Sequence, residues 1–568
     1  MSRAANSLIV RHYFLVRYGC RTMKEQNDDK RVNTFSYVDM LDPEQSAVLE
    51  HILNSNDNVL ITGKAGTGKS FLLHALLECA DGKTLQMAPT GVAALNINGV
   101  TLHSAFGFNN LEGIDVDDIS RSTLRLRKEK HSVLIAATRI VIDEASMIRS
   151  DTFEKMDRIL QVICRDNRPF GGKQIVLFGD LFQLPPVVKR NEEFDLIERF
   201  GGIHFFETTS DEQGCFAFVE LSTNHRQAED APYFEMLNRI RTGQASDEDL
   251  ASLNARASNE NDSAWDGTVR LFPMKKDADS FNSYVLSQIK SEEYKFMANV
   301  WSRNKQPVKM IEKRFPITQC LRLKVGAQVM MITNDPQKRW ANGTMGVVER
   351  IERREAATDS SGKSATGKGP LEITVRFGDK AYVINKATFT EDEAIERNGS
   401  IEYEPAVEVK QYPMVLAWAM TIHKSQSLTY GSVTCSLEGC FSPGQAYVAL
   451  SRCRSLDGLR LTGNVALSDL IVDQEAVDFY NRQFMDGSLE EGGSCRRRRK
   501  SVTEVLIDKS ILLRTSDACE ADALLHRALG REDASEALAN VARDISQDNV
   551  DLSGNLLALA NCINAVKR

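Results

Sequence analysis

One octapeptide constrains this chain more than any other feature. Gly63-Lys64-Ala65-Gly66-Thr67-Gly68-Lys69-Ser70 fits G-x-x-x-x-G-K-[ST]. It follows an apolar run (Val59, Leu60, Ile61) and opens a stretch with helical apolar spacing (Phe71, Leu72, Leu73, Leu76, Leu77). Glycines at those positions let backbone N–H groups turn inward around phosphate oxygens, and a helix N-terminus favours the anion. Gly63, Lys64, Ala65, Gly66, Thr67 and Gly68 are therefore expected to cradle the phosphates of a nucleotide. Lys69 is expected to reach the β- and γ-phosphates, and Ser70 to ligate Mg²⁺.

The flanking sequence supplies the sheet that such a loop needs. Residues 58–62, 84–88, 139–142 and 174–178 read as buried strands, each followed by a loop or helix. That alternation implies an α/β fold with a parallel sheet covered by helices on both faces. It resumes at 268–273 and 432–437, which makes two α/β units, and a length of 568 residues leaves room for them. Between those late strands, 325–352 and 371–384 are β-rich, with turns at Asn342-Gly343 and Gly378-Asp379. Residues 355–369, rich in Ser, Gly, Thr and Ala, read as a loop between strands. The expected organisation is a first unit over 38–225, a second over 226–484 with a small β-barrel inserted at about 320–410, and a basic linker with a helical tail over 485–568.

Composition removes several classes. No run of eighteen apolar residues occurs, so no membrane-spanning helix is expected. The net charge of −8 excludes histone-like wholesale neutralisation of phosphates but leaves a local basic groove possible. The eleven cysteines form no CxxC and no Cys/His cluster with zinc spacing, so thiols in a reducing compartment are expected. Residues 1–25 carry Arg3, Arg11, Arg17, Arg21 and Lys24 among apolar residues, with no acid before Glu25. That is the pattern of a mitochondrial presequence, to be weighed against a plain basic tail. Arg496 to Lys500 reads as a linker by default, with a nuclear signal or a nucleic-acid patch as alternatives.

Two further stretches carry chemistry. Ile140-Val141-Ile142-Asp143-Glu144 is an apolar strand ending in two acids. Asp143 is placed to hold Mg²⁺, and Glu144 to orient and deprotonate an attacking water. The next strand ends in Gly179-Asp180-Leu181-Phe182-Gln183-Leu184-Pro185-Pro186, where the Gln183 amide could contact both the γ-phosphate and that water.

The order of these segments, with Ala88-Pro89-Thr90-Gly91-Val92-Ala93-Ala94 between the first two, resembles superfamily 1 helicases. Arg168-Pro169-Phe170-Gly171-Gly172-Lys173-Gln174 looks like the signature of the Pif family of 5′-to-3′ DNA helicases, relatives of RecD in superfamily 1B. The segments 417–427 and 444–452 look like that family's last two motifs. The resemblance covers about 40–465. It implies two RecA-like lobes, a small wedge insertion in the first at about 109–131, and ATP with Mg²⁺ between the lobes. By that resemblance Gln45 would read adenine, while also sitting in a helix start capped by Asp42. Arg226 and Arg452 would be arginine fingers from the second lobe. Thr90, Gly91 and His103 on the first lobe, and His423, Lys424, Ser425 and Tyr447 on the second, would line the single-strand track. Phe106 and Phe108 could stack on bases or belong to the core, the latter being favoured for Phe108. Ser427 departs from the glycine usual in the family.

The activity so implied is ATP-dependent 5′-to-3′ DNA unwinding by a monomer that binds single-stranded and forked DNA. The presequence places it in replication and repair of mitochondrial DNA, with the nucleus as the alternative. Competing readings are an RNA or RNA–DNA hybrid helicase, and a catalytically silent DNA-binding scaffold with a damaged ATP site.

Overall fold

A computed structural model describes residues 36–108, 115–208, 216–223, 230–257, 268–303, 315–353 and 371–484, apart from Arg121, Arg125, Pro316 and Ser427. The presequence segment, Arg226, the 355–369 loop and the tail from 485 onward lie outside the described residues. Among the described residues no helix is long and apolar enough to cross a membrane.

Lobe 1 is a parallel sheet of β1 (Val59–Gly63), β2 (Thr84–Ala88), β3 (Val100–Thr101), β4 (Arg139–Ile142), β5 (Gln174–Phe178) and β6 (Ala217–Leu221), in the order β3-β2-β4-β5-β1-β6. Every residue of β1 and β5 is buried, as strands covered on both faces require. Three of the four strands expected here match residue for residue; the first is shifted by one, because Gly63 still pairs with Leu221. The helix Pro43–Asn54 starts at a capping box between Asp42 and Gln45 with proline in its first turn.

Lobe 2 is a smaller parallel sheet: β7 (Val269–Phe272) lies inside β18 (Ala419–Thr421) and β19 (Val433–Cys435), with β20 (Leu459–Leu461) outside β19. The expected strands at 268–273 and 432–437 are both present, trimmed at their ends.

Between β7 and β18 the chain makes antiparallel β-structure. A five-stranded sheet contains β11 (Gln328–Met331), β12 (Met345–Arg353), β13 (Leu371–Phe377), β14 (Lys380–Ile384) and β17 (Met414–Leu416). It shares one apolar core with the pair β8 (Glu293–Met297) and β10 (Cys320–Lys324). The insertion is thus wider at both ends than 320–410. β8 escapes a reading by pattern because only Phe296 in it is buried. A long hairpin of β15 (Ala387–Arg397) and β16 (Ser400–Gln411), with β9 (Asn299–Ser302) at its side, projects from this insertion.

That hairpin reaches lobe 1. The Ile401 N–H donates to the Gly82 carbonyl at 2.5 Å, and the half-buried Tyr403 accepts the Gln86 N–H at its hydroxyl at 3.1 Å. Ala394 and Ile401 enter the lobe 1 core. Glu393 faces Arg127 at 3.6 Å and Lys130 at 4.0 Å. Of the basic stretch expected to form a wedge, Lys130 therefore docks on the hairpin, while Arg127 stays exposed at its edge.

The last described helix, Gln474–Phe484, follows lobe 2 but packs on lobe 1. Phe479 stacks on Phe206 (4.3 Å) and meets Phe218 edge-on (5.5 Å), and the Tyr480 hydroxyl donates to Glu220 at 2.7 Å.

Candidate active site at the seam of the lobes

The phosphate loop runs from the end of β1 to the start of the helix Lys69–Glu78. Gly66 (φ +91°) and Gly68 (φ +79°) take left-handed backbone that a side chain would strain. Lys69 Nζ donates to the carbonyls of Gly63 (2.6 Å) and Lys64 (3.0 Å). The lysine is folded onto its own loop, at the position from which it would meet phosphate oxygens. Desolvation, then Arg241, lowers its pKa, opposed by Asp180, Glu144 and Asp143. Thr67 braces the loop through its hydroxyl to Lys64 O (3.0 Å). Ser70 is exposed at the helix start. The Gln45 amide is held on both sides: Oε1 accepts the Asp42 N–H (3.2 Å) and Nε2 donates to Thr67 O (3.4 Å). It is therefore a brace between the first helix and the phosphate loop.

Asp143 and Glu144 stand at the end of β4, beside the loop. Glu144 has φ +52°, a left-handed conformation rare for a residue with a side chain. The turn is fixed by Asp143 Oδ1, which accepts the Glu144 N–H at 2.9 Å. Burial, and next the Glu144 charge, push the Asp143 carboxyl up to about 7. Two carboxylates crowded in a desolvated pocket are what an oxygen-liganded cation would neutralise.

Asp180 is the centre of the seam, and pattern reading gave it no role. Its side chain accepts from the Phe182 N–H (3.2 Å), Gln183 Nε2 (3.1 Å) and, from lobe 2, the Tyr447 hydroxyl (3.1 Å). Arg241, also from lobe 2, stands 3.8 Å from Asp180 and 3.4 Å from Glu220 and lies over the Phe182 ring (4.6 Å). Burial would lower the Arg241 pKa; Tyr447, Asp180 and Glu220 outweigh it and raise it. Gly444 completes the approach, since a Cβ there would fall 2.5 Å from the Phe182 and Gln183 carbonyls. A cleft of about 130 Å³ runs between Lys64 and Ala65 of the loop and Glu235, Asn238 and Tyr447 of lobe 2.

Two expected strand contacts are corrected here. Tyr447 is buried at this seam against Asp180, on the nucleotide side, and does not face a strand track. Ser425 is fully buried, its hydroxyl bound to Ile422 O (2.7 Å). Its carbonyl instead accepts from Arg452 (3.4 Å), whose guanidinium also holds Val448 O (2.9 Å), Leu428 O (3.2 Å) and Ser451 Oγ (2.8 Å). Arg452 is thus fixed by its own lobe. The remaining strand candidates are accessible or partly so. His103 and Lys424 are exposed and His423 half-buried. Thr90 caps a short helix through Ala93 N (3.2 Å), with Gly91 as that helix's first residue. Phe106 is core, and the half-buried Phe108 stacks on it at 5.5 Å.

The segment 168–174 is structural. The Phe170 N–H donates to Asp157 (2.5 Å), and Gln174 Nε2 donates to the carbonyls of Ile52, Ser55 and Asp57, which ties β5 to the first helix.

Comparison with known proteins gives the same architecture a family. The PIF1-like helicase family matches residues 40–250, and the Pif1 2B domain matches 309–351. The ATP-dependent DNA helicase Pif1 of Bdellovibrio bacteriovorus is 33% identical over 78% of this chain and 92% of its own length. Human ATP-dependent DNA helicase PIF1 is 34% identical over 76% of this chain, a match covering 62% of the human protein. The crystal structure of Bacteroides sp Pif1 in complex with ADP-AlF4 superposes with a TM-score of 0.69 at 32% identity, covering 79% of this chain and 98% of that one. Bacteroides Pif1 bound to ssDNA, at 32% identity and covering 78% and 96% of the two chains, gives 0.53. With an intact phosphate loop, its acidic pair and both lobes in place, this chain belongs to the Pif1-like helicase family.

Proposed function

We propose that this chain is an ATP-dependent DNA helicase that moves 5′-to-3′ along single-stranded DNA, with DNA-stimulated ATP hydrolysis at the lobe seam. The observation that carries the reading is the Asp180 junction. Tyr447 and Arg241 of lobe 2 meet Asp180, whose charge acts on Lys69 of the phosphate loop together with those of Asp143 and Glu144, and Arg452 feels Glu144 and Asp180. A nucleotide bound against Lys69 necessarily changes how the lobes meet.

Lys69 exchanges the carbonyls of Gly63 and Lys64 for β- and γ-phosphate oxygens. Glu144 takes the proton of the attacking water, which Gln183 orients. Arg452, and Arg226 by family likeness, stabilise the charge that develops on the transferred phosphoryl group. Ser70 and Asp143 offer the oxygen ligands that Mg²⁺ requires, and the raised pKa of Asp143 suits a site completed by a cation. Held by these two residues, Mg²⁺ would supply positive charge against the phosphate oxygens. Gln45, already beside the loop, would exchange its bonds to Asp42 and Thr67 to present its amide edge to adenine.

Thr90, Gly91, His103, His423 and Lys424 are the strand contacts of this reading. They offer hydroxyls, backbone groups and one cation, which grip phosphates without reading sequence. The Bacteroides relative bound to ssDNA, and a similar structure of two coordinating Pif1 helicases at forked dsDNA, support single-stranded and forked DNA as partners. Both lobes come from one chain, so a monomer holds the complete site. The basic segment before Glu25, which has no acid, supports a role in mitochondrial DNA maintenance, and nuclear DNA is the second location.

Unwinding of duplexes that carry only a 5′ or only a 3′ overhang tests the proposal. Activity confined to the 5′ overhang is expected; equal or greater activity on the 3′ overhang overturns the polarity. Faster unwinding of matched RNA or hybrid duplexes would reassign the substrate.

A further inference from the structure

Beside the seam, lobe 1 and the closing helix meet at a cluster that plays no part in the chemistry above; its Asp473 shares a small cavity with Arg241 and Tyr447. His204 is 2% exposed, with its ring stacked on Phe206 (4.7 Å, 7°). Its Nε2 lies 2.9 Å from Asp473 Oδ2 and 3.7 Å from Glu475 Oε2. These ligand atoms all lie within 4.8 Å of one another, and among the described residues no other group of His, Cys, Asp and Glu does so. Despite the short approach, His204 Nε2 has no hydrogen-bond partner. An imidazole nitrogen not engaged as a donor can direct its lone pair to a cation.

A third carboxylate adds to the charge. Glu207 Oε2 accepts the His204 backbone N–H at 3.0 Å. It is seated over Gly202, where a Cβ would fall 1.8 Å from that oxygen. Burial, and then the neighbouring Glu475 charge, push the Glu207 carboxyl up to about 7. Three carboxylates around one buried imidazole nitrogen repel one another unless a proton or a cation joins them.

We propose that His204, Asp473 and Glu475 bind a divalent cation of the zinc class, with the fourth position filled by water or by Glu207. Ligand bonds of about 2.0–2.2 Å in a tetrahedron set ligand atoms roughly 3.3–3.6 Å apart. The observed 2.9 and 3.7 Å bracket that spacing, so small side-chain movements suffice. The imidazole favours zinc-class metals over Mg²⁺ and Ca²⁺, which take oxygen ligands. His204 and Glu207 come from lobe 1, whereas Asp473 and Glu475 open the helix whose Phe479 packs on Phe206. The cation clasps that helix to lobe 1.

The test uses the full-length, metal-stripped protein in Mg²⁺ buffer, titrated with Zn²⁺ by calorimetry and with Co²⁺ by optical absorption. One Zn²⁺ equivalent is expected that Asp473→Asn and Glu475→Gln each weaken at least tenfold. The corresponding Co²⁺ band should lack thiolate charge transfer, which separates this site from the cysteines. Glu475 is 49% exposed, so Glu475→Gln leaves the fold intact if Asp473→Asn does not. Zn²⁺ should raise the Tm of the parent protein and not that of Glu475→Gln. Identical isotherms for parent and variants, thiolate bands in the Co²⁺ form, or no Zn²⁺ uptake by the parent overturn the site.

Discussion

Arg241 offers the sharpest test of how the lobes are joined. Its side chain is 3% exposed and the Asp180 side chain 0%, so the pair is desolvated. Replacing Arg241 with Met keeps much of the volume over Phe182 but removes the positive charge beside Asp180 and Glu220. Breaking a buried pair from one side costs about 3–5 kcal/mol, because the other charge stays buried. Losing the guanidinium from the Phe182 face adds up to about 2 kcal/mol where the ring is dry. Two effects pull the other way. Asp180 keeps the Tyr447 hydroxyl and the Gln183 amide, and the Glu220 side chain is 21% exposed and keeps Tyr480. The expected cost is about 3–5 kcal/mol in total.

Denaturant unfolding measures that cost, and DNA-stimulated ATP turnover measures its effect on the seam. Arg241→Met should lower both the unfolding midpoint and kcat. Arg241→Lys keeps a charge but loses the fork and the stacking, so it should recover only part of each. In the double variant with Asp180→Asn the buried charge that Met strands is gone. The two changes should therefore be non-additive by about 1–3 kcal/mol. Strict additivity, or an unchanged midpoint and kcat in Arg241→Met, would refute the reading of Asp180 and Arg241 as the lobe junction.

Other expectations follow from the same geometry. Asp143→Asn should stabilise the nucleotide-free protein by about 2–4 kcal/mol above pH 7. The native carboxyl titrates near 7, against 3.8 ordinarily, so the native state holds the extra proton between those values and loses stability as pH rises through them. The gain should vanish below about pH 4, and thermal melts at pH 4 and pH 8 decide it. Lys69→Ala should abolish DNA-stimulated ATP hydrolysis while the circular dichroism stays unchanged; retained turnover would contradict the phosphate-loop assignment. Tyr403→Phe removes the hydroxyl that accepts the Gln86 N–H. It should cost about 1–3 kcal/mol and loosen the hairpin from lobe 1, read as faster hydrogen exchange at 82–88; unchanged exchange there would refute that anchoring role.

Much of this protein was legible in sequence because strands buried on both faces read as unbroken apolar runs. That is why β2, β4 and β5 could be placed to the residue, and why the phosphate loop located β1. β8 could not be found that way, since its polar residues face outward and its one buried residue gives no period. The site divides along similar lines. Lys69, Asp143 and Glu144 end strands or open helices, where function shows in residue type. Arg241 and Asp180 owe their role to a meeting of segments sixty residues apart, which no local spacing encodes. Tyr447 and Ser425 were misplaced for the same reason. A motif residue facing a strand track and one facing the nucleotide sit a few positions apart on short helices, and only the packed lobes decide which way each points.

The way Arg452 is held bears on how chemistry could drive movement. A guanidinium has five N–H donors, and Arg452 spends four contacts on Val448, Ser425, Leu428 and Ser451 within lobe 2. It cannot swing toward a phosphate by itself, so its approach is the approach of the whole lobe. What resists or permits that approach is the set of contacts made across the seam: Tyr447 and Arg241 on Asp180, and Gly444 on the carbonyls of Phe182 and Gln183. Ser425, which holds Arg452, is the immediate neighbour of the exposed Lys424. If Lys424 holds a strand, as proposed, its displacement would act on the backbone that positions the arginine. On the proposed reading, strand contact and phosphate contact would be two ends of one segment, and its rigidity would couple hydrolysis to stepping.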